Sequence, residues 1–107
     1  MITFAFPAFN EAENLKRFPK EVMPVFDGLG GLYEILIVDD GSTDATAAVA
    51  RGLGAKVRLV QHDRNRGLGV AVRTAIKEAK GDILITMDAD LTFAPALVRV
   101  LLERFSQ

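Results

Sequence analysis

The sequence predicts an α/β fold built on a parallel sheet, and three observations lead to this prediction. Short apolar runs alternate with longer segments of helical periodicity, which is the pattern of βαβ units. No repeat, low-complexity tract or polar linker divides the 107 residues, so we expect one domain. The composition, 50% hydrophobic and 25% charged, is typical of a chain that folds around an apolar core.

The first apolar run predicts a strand over residues 2–6. Pro7 ends this strand in the prediction because proline has no N–H group to donate to a neighbouring strand. Residues 11–26 carry apolar side chains at helical spacing and predict an amphipathic helix. Pro19 and Pro24 fall inside this segment, and each of them removes a helical hydrogen bond, so the length of the helix stays open.

A second apolar run, residues 32–38, is rich in β-branched side chains and predicts a central strand that ends at Asp39. Ser42 or Thr43 is the predicted N-cap of an alanine-rich helix that continues to Leu53. A hydroxyl side chain suits this position because it accepts a hydrogen bond from a free N–H group at the start of a helix.

The second half of the chain repeats the alternation of strand and helix. Residues 57–61 predict a third strand, residues 67–79 a helix, and residues 83–87 a fourth strand. A last helix is expected from Pro95, since proline is favoured in the first turn of a helix. The apolar face of this helix comprises Leu97, Leu101 and Phe105.

The polar residues that follow the predicted strands indicate where a site lies. These segments are residues 7–11, 39–43, 62–67 and 88–92. Ligands of parallel α/β sheets bind outside the carboxyl ends of the strands, where these four segments meet. We therefore expect one site at this edge of the sheet.

The overall composition excludes several classes of function. The net charge is −1, so the chain does not have the excess of basic residues that is typical of a domain that binds nucleic acid. The sequence has no cysteine and one histidine, His62, which excludes a disulfide framework, a thiolate metal site and a cysteine nucleophile. No apolar run reaches the length of a membrane span, and the N-terminus does not resemble a signal peptide, so a cytoplasmic location is expected.

Two carboxylates, Asp88 and Asp90, follow the fourth predicted strand. In extended backbone, residues two apart point to the same side, so both carboxylates would face one divalent cation. An all-oxygen site suits Mg²⁺ or Mn²⁺, which take few carboxylates and complete their shells with water and diphosphate oxygens. The alternative is a turn at the end of the strand, where aspartate is common.

A second acidic pair, Asp39 and Asp40, follows the second predicted strand. An acid at this position accepts a hydrogen bond from a ribose hydroxyl in dinucleotide-binding folds. Helix capping is the alternative, and it accounts for Ser42, Thr43 and Asp44. Since Asp39 and Asp40 cannot both cap, one of them is predicted to contact a ligand.

The loop before the third predicted helix combines Arg66 with Gly67 and Gly69. Free N–H groups at a helix start attract anions, and the guanidinium of Arg66 adds a cation suited to phosphate. The segment is not a dinucleotide-binding fingerprint, because Val72 stands at the third glycine position and a polar loop precedes the motif.

Three further residues near the predicted site each have two interpretations. Phe9 either flanks a flat base or packs inside the protein. Glu11 either accepts a hydrogen bond from a hydroxyl group or favours the start of the first helix through its charge. His62 is either a ligand contact or a loop residue without a function.

Four blocks of the sequence resemble glycosyltransferase family 2, whose members have the GT-A fold. The blocks are PAFNEAENL at residues 7–15, VDDGSTDAT at 38–46, HDRNRGLGVAVR at 62–73 and GDILITMDADL at 81–91. They follow the family's order, and the MDADL form is most similar to the branch of polyprenyl-phosphate and dolichyl-phosphate mannosyltransferases. With this resemblance, the expected fold is a three-layer α/β/α, Rossmann-like half-domain whose four parallel strands have the order 3-2-1-4.

The resemblance also implies site residues. The nucleotide pocket would be lined by Pro7, Phe9, Glu11, Asp39 and Asp40, with Arg66 near the phosphates. The two acids of the DxD motif, Asp88 and Asp90, would hold Mg²⁺ or Mn²⁺ on the diphosphate of a GDP- or UDP-hexose. Thr92 is the candidate third metal ligand, because it stands where this branch often has a glutamine, and its oxygen is neutral and on a shorter side chain.

The reaction that the resemblance implies is inverting transfer of a hexose from a nucleotide-sugar, with a polyprenyl phosphate as candidate acceptor. The family's domain continues past residue 107 to the acceptor site and any general base. We therefore expect this chain to be the donor-binding portion, inactive alone and prone to self-association, of a protein at the cytoplasmic face of the membrane. The alternative is a receiver-like signalling domain that binds Mg²⁺, which the sequence disfavours because Pro7, and no acid pair, follows the first strand.

Overall fold

The structure is a computed structural model that describes residues 1–90 of the chain. Its strands are β1 (Ile2–Ala8), β2 (Tyr33–Asp39), β3 (Val57–Gln61) and β4 (Ile83–Thr86). Its helices are α1 (Ala12–Leu15), α2 (Met23–Asp27), α3 (Thr46–Arg51) and α4 (Leu68–Glu78), and a π-helical turn, Phe18–Val22, precedes α2. The strands form one parallel sheet in the order β3-β2-β1-β4, so the predicted fold class and strand order are confirmed.

Helices cover both faces of the sheet. Neighbouring residues of a strand point to opposite sides, so the apolar strands present side chains on both faces that need to be buried. The helices α1, α2 and α3 lie on one face, whose buried side chains include Phe4, Phe6, Leu15, Phe26, Ile35, Ile37 and Ala50. The helix α4 lies on the other face, whose buried side chains are Ala5, Leu36, Val38, Ala71 and Ala75. The expected three layers are therefore present.

The core of the first face is aromatic. Phe4 stacks on Phe26 with ring centroids 3.8 Å apart and an angle of 6° between the planes. Phe6 meets Phe18 edge to face at 4.8 Å. All four rings are fully buried, and burial of one such side chain contributes about 1.5–3 kcal/mol to stability. These contacts fasten the segment between β1 and β2, whose helices are short, onto the sheet.

Pro7 lies inside β1 and pairs with Val38, so the prediction that it ends the strand is wrong. The reason is the direction in which its missing N–H group would point. The carbonyl of Ala5 accepts a hydrogen bond from the N–H of Met87, on the β4 side. Hydrogen-bonding groups alternate between the two neighbouring strands, so Pro7 faces the same side as Ala5. Pairing of β1 with β4 ends at Ala5, and the missing donor therefore falls past the end of that ladder.

The predicted helix over residues 11–26 is divided into α1, the π-helical turn and α2. Pro19 stands in the first turn of the π-helical segment, and Pro24 stands in the first turn of α2. Proline cannot continue a helix, because it lacks the N–H group and its ring collides with the preceding turn. It is accepted in a first turn, so each proline begins a new segment.

In the second half of the chain, β3 and α4 agree with their predictions, and β4 ends at Thr86, one residue earlier than predicted. The predicted final helix from Pro95 and the candidate metal ligand Thr92 lie outside the described residues. Across residues 1–90, no helix combines the length and the hydrophobicity that a membrane crossing requires.

A buried polar network holds the amino ends of the strands, at the edge opposite the predicted site. Thr3 donates its hydroxyl to Glu34 Oε2 at 2.6 Å, and the N–H of Lys80 donates to the same oxygen at 2.8 Å. Arg58 Nε donates to the other carboxylate oxygen, Oε1, at 3.3 Å. Burial raises the pKa of Glu34, but these hydrogen bonds together outweigh burial and hold the pKa below its ordinary value.

Candidate functional site

The carboxyl ends of the strands border an open pocket of about 270 Å³. Its lining comprises Pro7, Ala8, Phe9, Asp40, Asn65, Gly67, Leu68 and Ala71, and these residues define the strand-end pocket. Three of the predicted nucleotide contacts, Pro7, Phe9 and Asp40, belong to the lining. The other three, Glu11, Asp39 and Arg66, fall outside the lining as the described residues define it.

Two side chains of the strand-end pocket are large, apolar and exposed. Phe9 is 43% exposed and Leu68 is 65% exposed. Apolar faces of this kind inside a pocket suit the flat rings of a nucleobase, whose faces are also apolar. Asp40 adds a carboxylate to the same lining, so the pocket combines apolar faces with a group that accepts hydrogen bonds.

Three donors converge on the carboxylate of Asp40, which is 5% exposed. The N–H of Arg66 donates to Oδ1 at 2.9 Å, and the N–H of Gly67 donates to Oδ2 at 3.0 Å. His62 Nδ1 lies 2.8 Å from Oδ1. Burial raises the pKa of Asp40, but these three hydrogen bonds outweigh burial and hold the pKa below its ordinary value. Asp40 is therefore a carboxylate that ties the loop after β3 to the end of β2.

His62 connects Asp40 with α4. Its Nε2 lies 2.8 Å from Thr74 Oγ1, so both ring nitrogens have a polar partner. This histidine had two interpretations in the sequence, and the structure gives it a position inside the protein. The sequence reasoning missed Thr74 altogether. The available signal was its position three residues after Ala71, which places it near the side of α4 that faces the sheet.

Gly41 allows the loop after β3 to approach the end of β2. Its φ is 73°, a region that glycine adopts without strain. A Cβ atom at this position would lie 2.2 Å from the carbonyl carbon of Arg64 and 2.4 Å from the nitrogen of Asn65. Any side chain here would therefore push away the loop that supplies Asn65 to the strand-end pocket.

Asp39, the other member of the acidic pair, is the last residue of β2 and is buried. Its Oδ1 accepts a hydrogen bond from the N–H of Ser42 at 3.0 Å, which closes the turn after the strand. Asp40 lines the strand-end pocket, so the geometry favours Asp40 as the member of the pair that contacts a ligand. A ligand contact of Asp39 stays a prediction.

Asn10 joins the loop after β1 to the loop after β2. Its Oδ1 accepts hydrogen bonds from the N–H groups of Thr43 at 2.8 Å and Asp44 at 3.3 Å, and its own N–H donates to Ser42 Oγ at 2.8 Å. The φ of Asn10 is 54°, in the left-handed region that asparagine tolerates better than most residues. Phe9, which precedes it, is thereby held in a fixed relation to the end of β2.

Asp44 and Thr46 accept hydrogen bonds from the start of α1, which lies 32 to 35 residues earlier in the chain. Thr46 Oγ1 accepts a hydrogen bond from the N–H of Glu11 at 2.9 Å. Asp44 Oδ2 accepts one from the N–H of Ala12 at 3.3 Å. The first N–H groups of a helix have no partner within the helix, so these two side chains satisfy them across the loop interface.

The prediction that Ser42 or Thr43 is the N-cap of the following helix is wrong. The helix α3 begins only at Thr46, and Ala45 occupies the N-cap position. Asp44 Oδ1 accepts a hydrogen bond from the N–H of Thr46 at 2.9 Å. Ser42 and Thr43 are engaged with the loop after β1, a partner that is distant in sequence.

Glu11 and Arg66 have polar partners within the chain. Glu11 Oε2 accepts a hydrogen bond from Asn14 Nδ2 at 2.7 Å. Arg66 donates to Asp63 Oδ1 from Nε at 3.1 Å and from Nη2 at 2.9 Å. The Arg66–Asp63 pair is exposed, and exposed pairs contribute only about 0–1 kcal/mol, so Arg66 can turn toward a phosphate at small cost. Its phosphate contact and the hydroxyl contact of Glu11 stay predictions.

The metal site at the acidic pair after β4, Asp88 and Asp90, stays a prediction. Asp88 and Asp90 are exposed, and Ala89 between them is buried. Pairing of β4 with β1 ends at Thr86, and Ala89 and Asp90 lie in a turn, so the extended backbone expected to point both carboxylates to one side is absent and the turn that was the alternative is present. Within residues 1–90, the acids and the histidine do not form a cluster of three that could hold a metal. Two exposed carboxylates suit Mg²⁺ or Mn²⁺, which take their remaining ligands from water and a bound diphosphate.

Known proteins resemble this chain over nearly its whole length. The model of the family described as "Glycosyl transferase family 2" matches residues 3–107. A dolichol-phosphate mannosyltransferase of Pyrococcus furiosus is 36% identical over 104 residues, which cover 95% of this chain and 29% of that protein. An undecaprenyl-phosphate 4-deoxy-4-formamido-L-arabinose transferase of Edwardsiella ictaluri is 34% identical over 110 residues, which cover 99% of this chain and 34% of that protein. The chain thus spans about a third of the length of these relatives.

Solved structures share the fold described above. A mannosyltransferase from Pyrobaculum calidifontis, in complex with GDP-Man and Mn²⁺, has a TM-score of 0.78 at 25% identity, covering 99% of this chain and 32% of the other. Glucosyl-3-phosphoglycerate synthase from Mycobacterium tuberculosis, in complex with Mn²⁺, UDP and glucosyl-3-phosphoglycerate, has a TM-score of 0.77 at 28% identity. That match covers 98% of this chain and 39% of the other. The sheet and its helices are therefore common to these proteins.

Proposed function

This chain belongs to glycosyl transferase family 2, and from this membership we propose that it binds the nucleoside diphosphate of a nucleotide-sugar at the strand-end pocket. One juxtaposition carries the proposal: apolar faces and a carboxylate line the pocket, and the acidic pair after β4 emerges at the same edge of the sheet. The complexes of similar proteins with GDP-Man or UDP, each with Mn²⁺, support it. The ligand class is a GDP- or UDP-hexose.

In the proposed complex, the base packs against the apolar faces of Phe9 and Leu68. A carboxylate has about four acceptor positions, and the chain itself fills three of those on Asp40. Asp40 therefore accepts one further hydrogen bond, from the base or the ribose. Pro7 borders the nucleoside beside Glu11 and Asp39, and Arg66 turns from its exposed partner toward the phosphates.

Asp88 and Asp90 would hold Mg²⁺ or Mn²⁺ against the diphosphate, with Thr92 as a third oxygen ligand. The cation, when bound, offsets the negative charge that develops on the leaving diphosphate. The two acids bring this positive charge to the edge of the sheet where the pocket opens. In this chain, the two acids would therefore strengthen the binding of the diphosphate and fix its position.

For a protein of the relatives' length, we propose inverting transfer of the hexose to a polyprenyl phosphate at the cytoplasmic face of the membrane. A phosphate oxygen of the acceptor forms a bond to the anomeric carbon while the bond from that carbon to the diphosphate oxygen breaks, and the nucleoside diphosphate leaves with the electron pair. The attacking oxygen is already an anion, so this reaction requires no general base. The relatives named for dolichol phosphate and undecaprenyl phosphate support this acceptor class. Transfer requires donor and acceptor held together, so we expect none by the donor-binding chain alone.

Calorimetric titration of the chain with GDP, UDP, GDP-Man and UDP-glucose, each with and without MnCl₂, tests the proposal. We expect binding that Mn²⁺ strengthens, with a preference for one of the two bases. ADP is the matched control, because it carries the same diphosphate on a different base. Equal binding of ADP, or no binding of any of the four ligands with Mn²⁺ present, would contradict the proposal.

A further inference from the structure

Asp40 belongs to a chain of partly buried polar side chains whose other members, His62 and Thr74, have no assigned part in the proposed function. Asp40 follows β2, His62 follows β3, and Thr74 belongs to α4. The side chains of Asp40 and His62 are 7% and 9% exposed. Both contacts of the imidazole ring, with Asp40 Oδ1 and with Thr74 Oγ1, are 2.8 Å long. The three residues thus connect three elements around the strand-end pocket.

The chemistry of the partners fixes where the hydrogens lie. Asp40 is ionised at neutral pH, and a carboxylate only accepts hydrogen bonds, so Nδ1 of His62 carries the hydrogen of their contact. In the neutral imidazole, Nε2 is then the acceptor, and the hydroxyl of Thr74 donates to it. Donation therefore runs from Thr74 through His62 to Asp40.

Through its other hydrogen bonds, Asp40 connects this chain of side chains to the wall of the pocket. Its oxygens also accept hydrogen bonds from the N–H groups of Arg66 and Gly67, and Gly67 lines the pocket together with Leu68. Rotation of the carboxylate about its Cβ–Cγ bond would break both of these bonds together. The donor at Nδ1 of His62 opposes this rotation, because it binds Oδ1 from a side chain buried on a different strand end.

We propose that His62 is a positioning residue for the nucleoside diphosphate: its Nδ1–H group holds the Asp40 carboxylate in the orientation that keeps Gly67 and Leu68 at the pocket and leaves one acceptor position for the ligand. This inference rests on the proposed function, because it names the residue that prepares the proposed pocket. The contact at Nδ1 carries this role. The contact of Nε2 with Thr74 stabilises the fold and is dispensable for binding.

Two substitutions of His62 separate these contacts. In His62→Asn, the side-chain amide nitrogen stands two bonds from Cβ, as Nδ1 does, and can still donate to Asp40. In His62→Gln, the amide group stands three bonds from Cβ, as Nε2 does, and reaches toward Thr74 instead. Each variant loses one of the two contacts, so we expect similar decreases in melting temperature for both. A purely structural role of His62 would give similar decreases in ligand affinity as well.

The affinities of both variants for GDP and for UDP, each with MnCl₂, test the proposal. We expect His62→Asn to bind within about twofold of the unmodified chain and His62→Gln to bind about tenfold more weakly, as for loss of a hydrogen bond to a charged group. Tyr33→Phe is the matched control, because it removes one hydrogen bond, of 2.5 Å to Asp27, at the opposite edge of the sheet. It lowers stability and leaves the affinity unchanged.

Equal affinities of the two His62 variants, whether retained or reduced, would overturn the proposal. Should His62→Gln fail to fold, His62→Ala takes its place, because it also removes the donor at Nδ1: weaker binding by His62→Ala than by His62→Asn supports the proposal, and equal affinities overturn it. If the unmodified chain binds neither GDP nor UDP, the proposed function itself has failed. That result differs from every outcome in which the unmodified chain binds and the variants do not follow the expected order.

Discussion

Thr43 and Asn10 are 33 residues apart in the sequence and are joined by a hydrogen bond of 2.8 Å, from the N–H of Thr43 to Asn10 Oδ1. The bond crosses between the loop after β1 and the loop after β2. The same interface contains the bonds of Asp44 and Thr46 to the start of α1. The two loops, which look like independent motifs in the sequence, are therefore one structural unit.

Replacement of Asn10 by alanine tests how much this unit stabilises the fold. The variant leaves two N–H groups without their acceptor and puts alanine at a φ of 54°. We expect the free energy of unfolding to fall by about 1–3 kcal/mol in urea titrations followed by circular dichroism. Asn10→Asp is the control, since it keeps an acceptor oxygen, and its free energy of unfolding should fall by less. Unchanged stability of Asn10→Ala would contradict the role of this interface.

The double substitution of Asp88 and Asp90 by alanine tests the metal assignment. We expect it to remove the Mn²⁺-dependent part of GDP or UDP binding in calorimetry. The melting temperature should hardly change, because substitutions at exposed positions are usually within about 0.5 kcal/mol. Asp82→Ala removes an exposed carboxylate from the other end of β4 and should leave binding as it is. If the double variant still binds more tightly with Mn²⁺, the assignment is wrong.

Gly41→Ala and Gly54→Ala separate backbone strain from collision. Both glycines have positive φ, 73° and 110°, but only at Gly41 would a Cβ atom meet another backbone segment of the described chain. We expect Gly54→Ala to cost about 1–2 kcal/mol from conformation alone. Gly41→Ala should cost about 1–3 kcal/mol more, because the loop at Arg64 must move. Denaturant titration measures both costs, and equal costs would show that the loop yields freely.

The stability of the protein should depend on the ionisation of Glu34. Its pKa in the fold lies below the ordinary value of 4.5, so the ionised form stabilises the folded state. This contribution is fully present above about pH 4.5 and is lost as the pH falls through the lowered pKa. We expect the difference in unfolding free energy between the unmodified chain and Glu34→Gln to shrink below that pH. Other carboxyls with a lowered pKa, such as Asp27 and Asp40, contribute to the stability of both proteins, so their effects cancel in this difference. A difference that does not change with pH would contradict the prediction.

Self-association of the chain is expected at the edge of the sheet. Among residues 1–90, β4 pairs with β1 on one side and no strand pairs with its other side. Unpaired strand edges promote pairing with a second chain. We predict a dimer or larger assembly at micromolar concentration by light scattering, and Thr86→Lys, at an exposed position of β4, should weaken it. A monomer throughout this range would contradict the prediction.

The sheet was predictable because each strand is a compact apolar run whose type and neighbours follow from local pattern and general topology. Features that depend on contacts between residues distant in the sequence could not be predicted in this way. The place of Pro7 inside β1 depends on where β4 stops pairing, which the residues around Pro7 do not encode. Asp44 and Thr46 have the local pattern of helix caps, yet their partners are Glu11 and Ala12.

The site was predictable in part. The family's blocks led to Phe9 and Asp40 in the pocket, and the family match decides against the receiver-like alternative. Leu68 was missed because a leucine at the start of a helix predicts packing, and only the fold shows that it is exposed beside the pocket. The link from His62 to Thr74 was missed because it joins two elements through side chains without a sequence pattern.

The helix α1 has four residues, which is too short for a stable helix by itself. The side chains that satisfy its first N–H groups, Asp44 and Thr46, follow in the sequence by 32 and 35 residues. During synthesis, the loop after β1 is therefore made before the side chains that satisfy its N–H groups. The first loop of the site can thus become fully ordered only after residue 46 has been made.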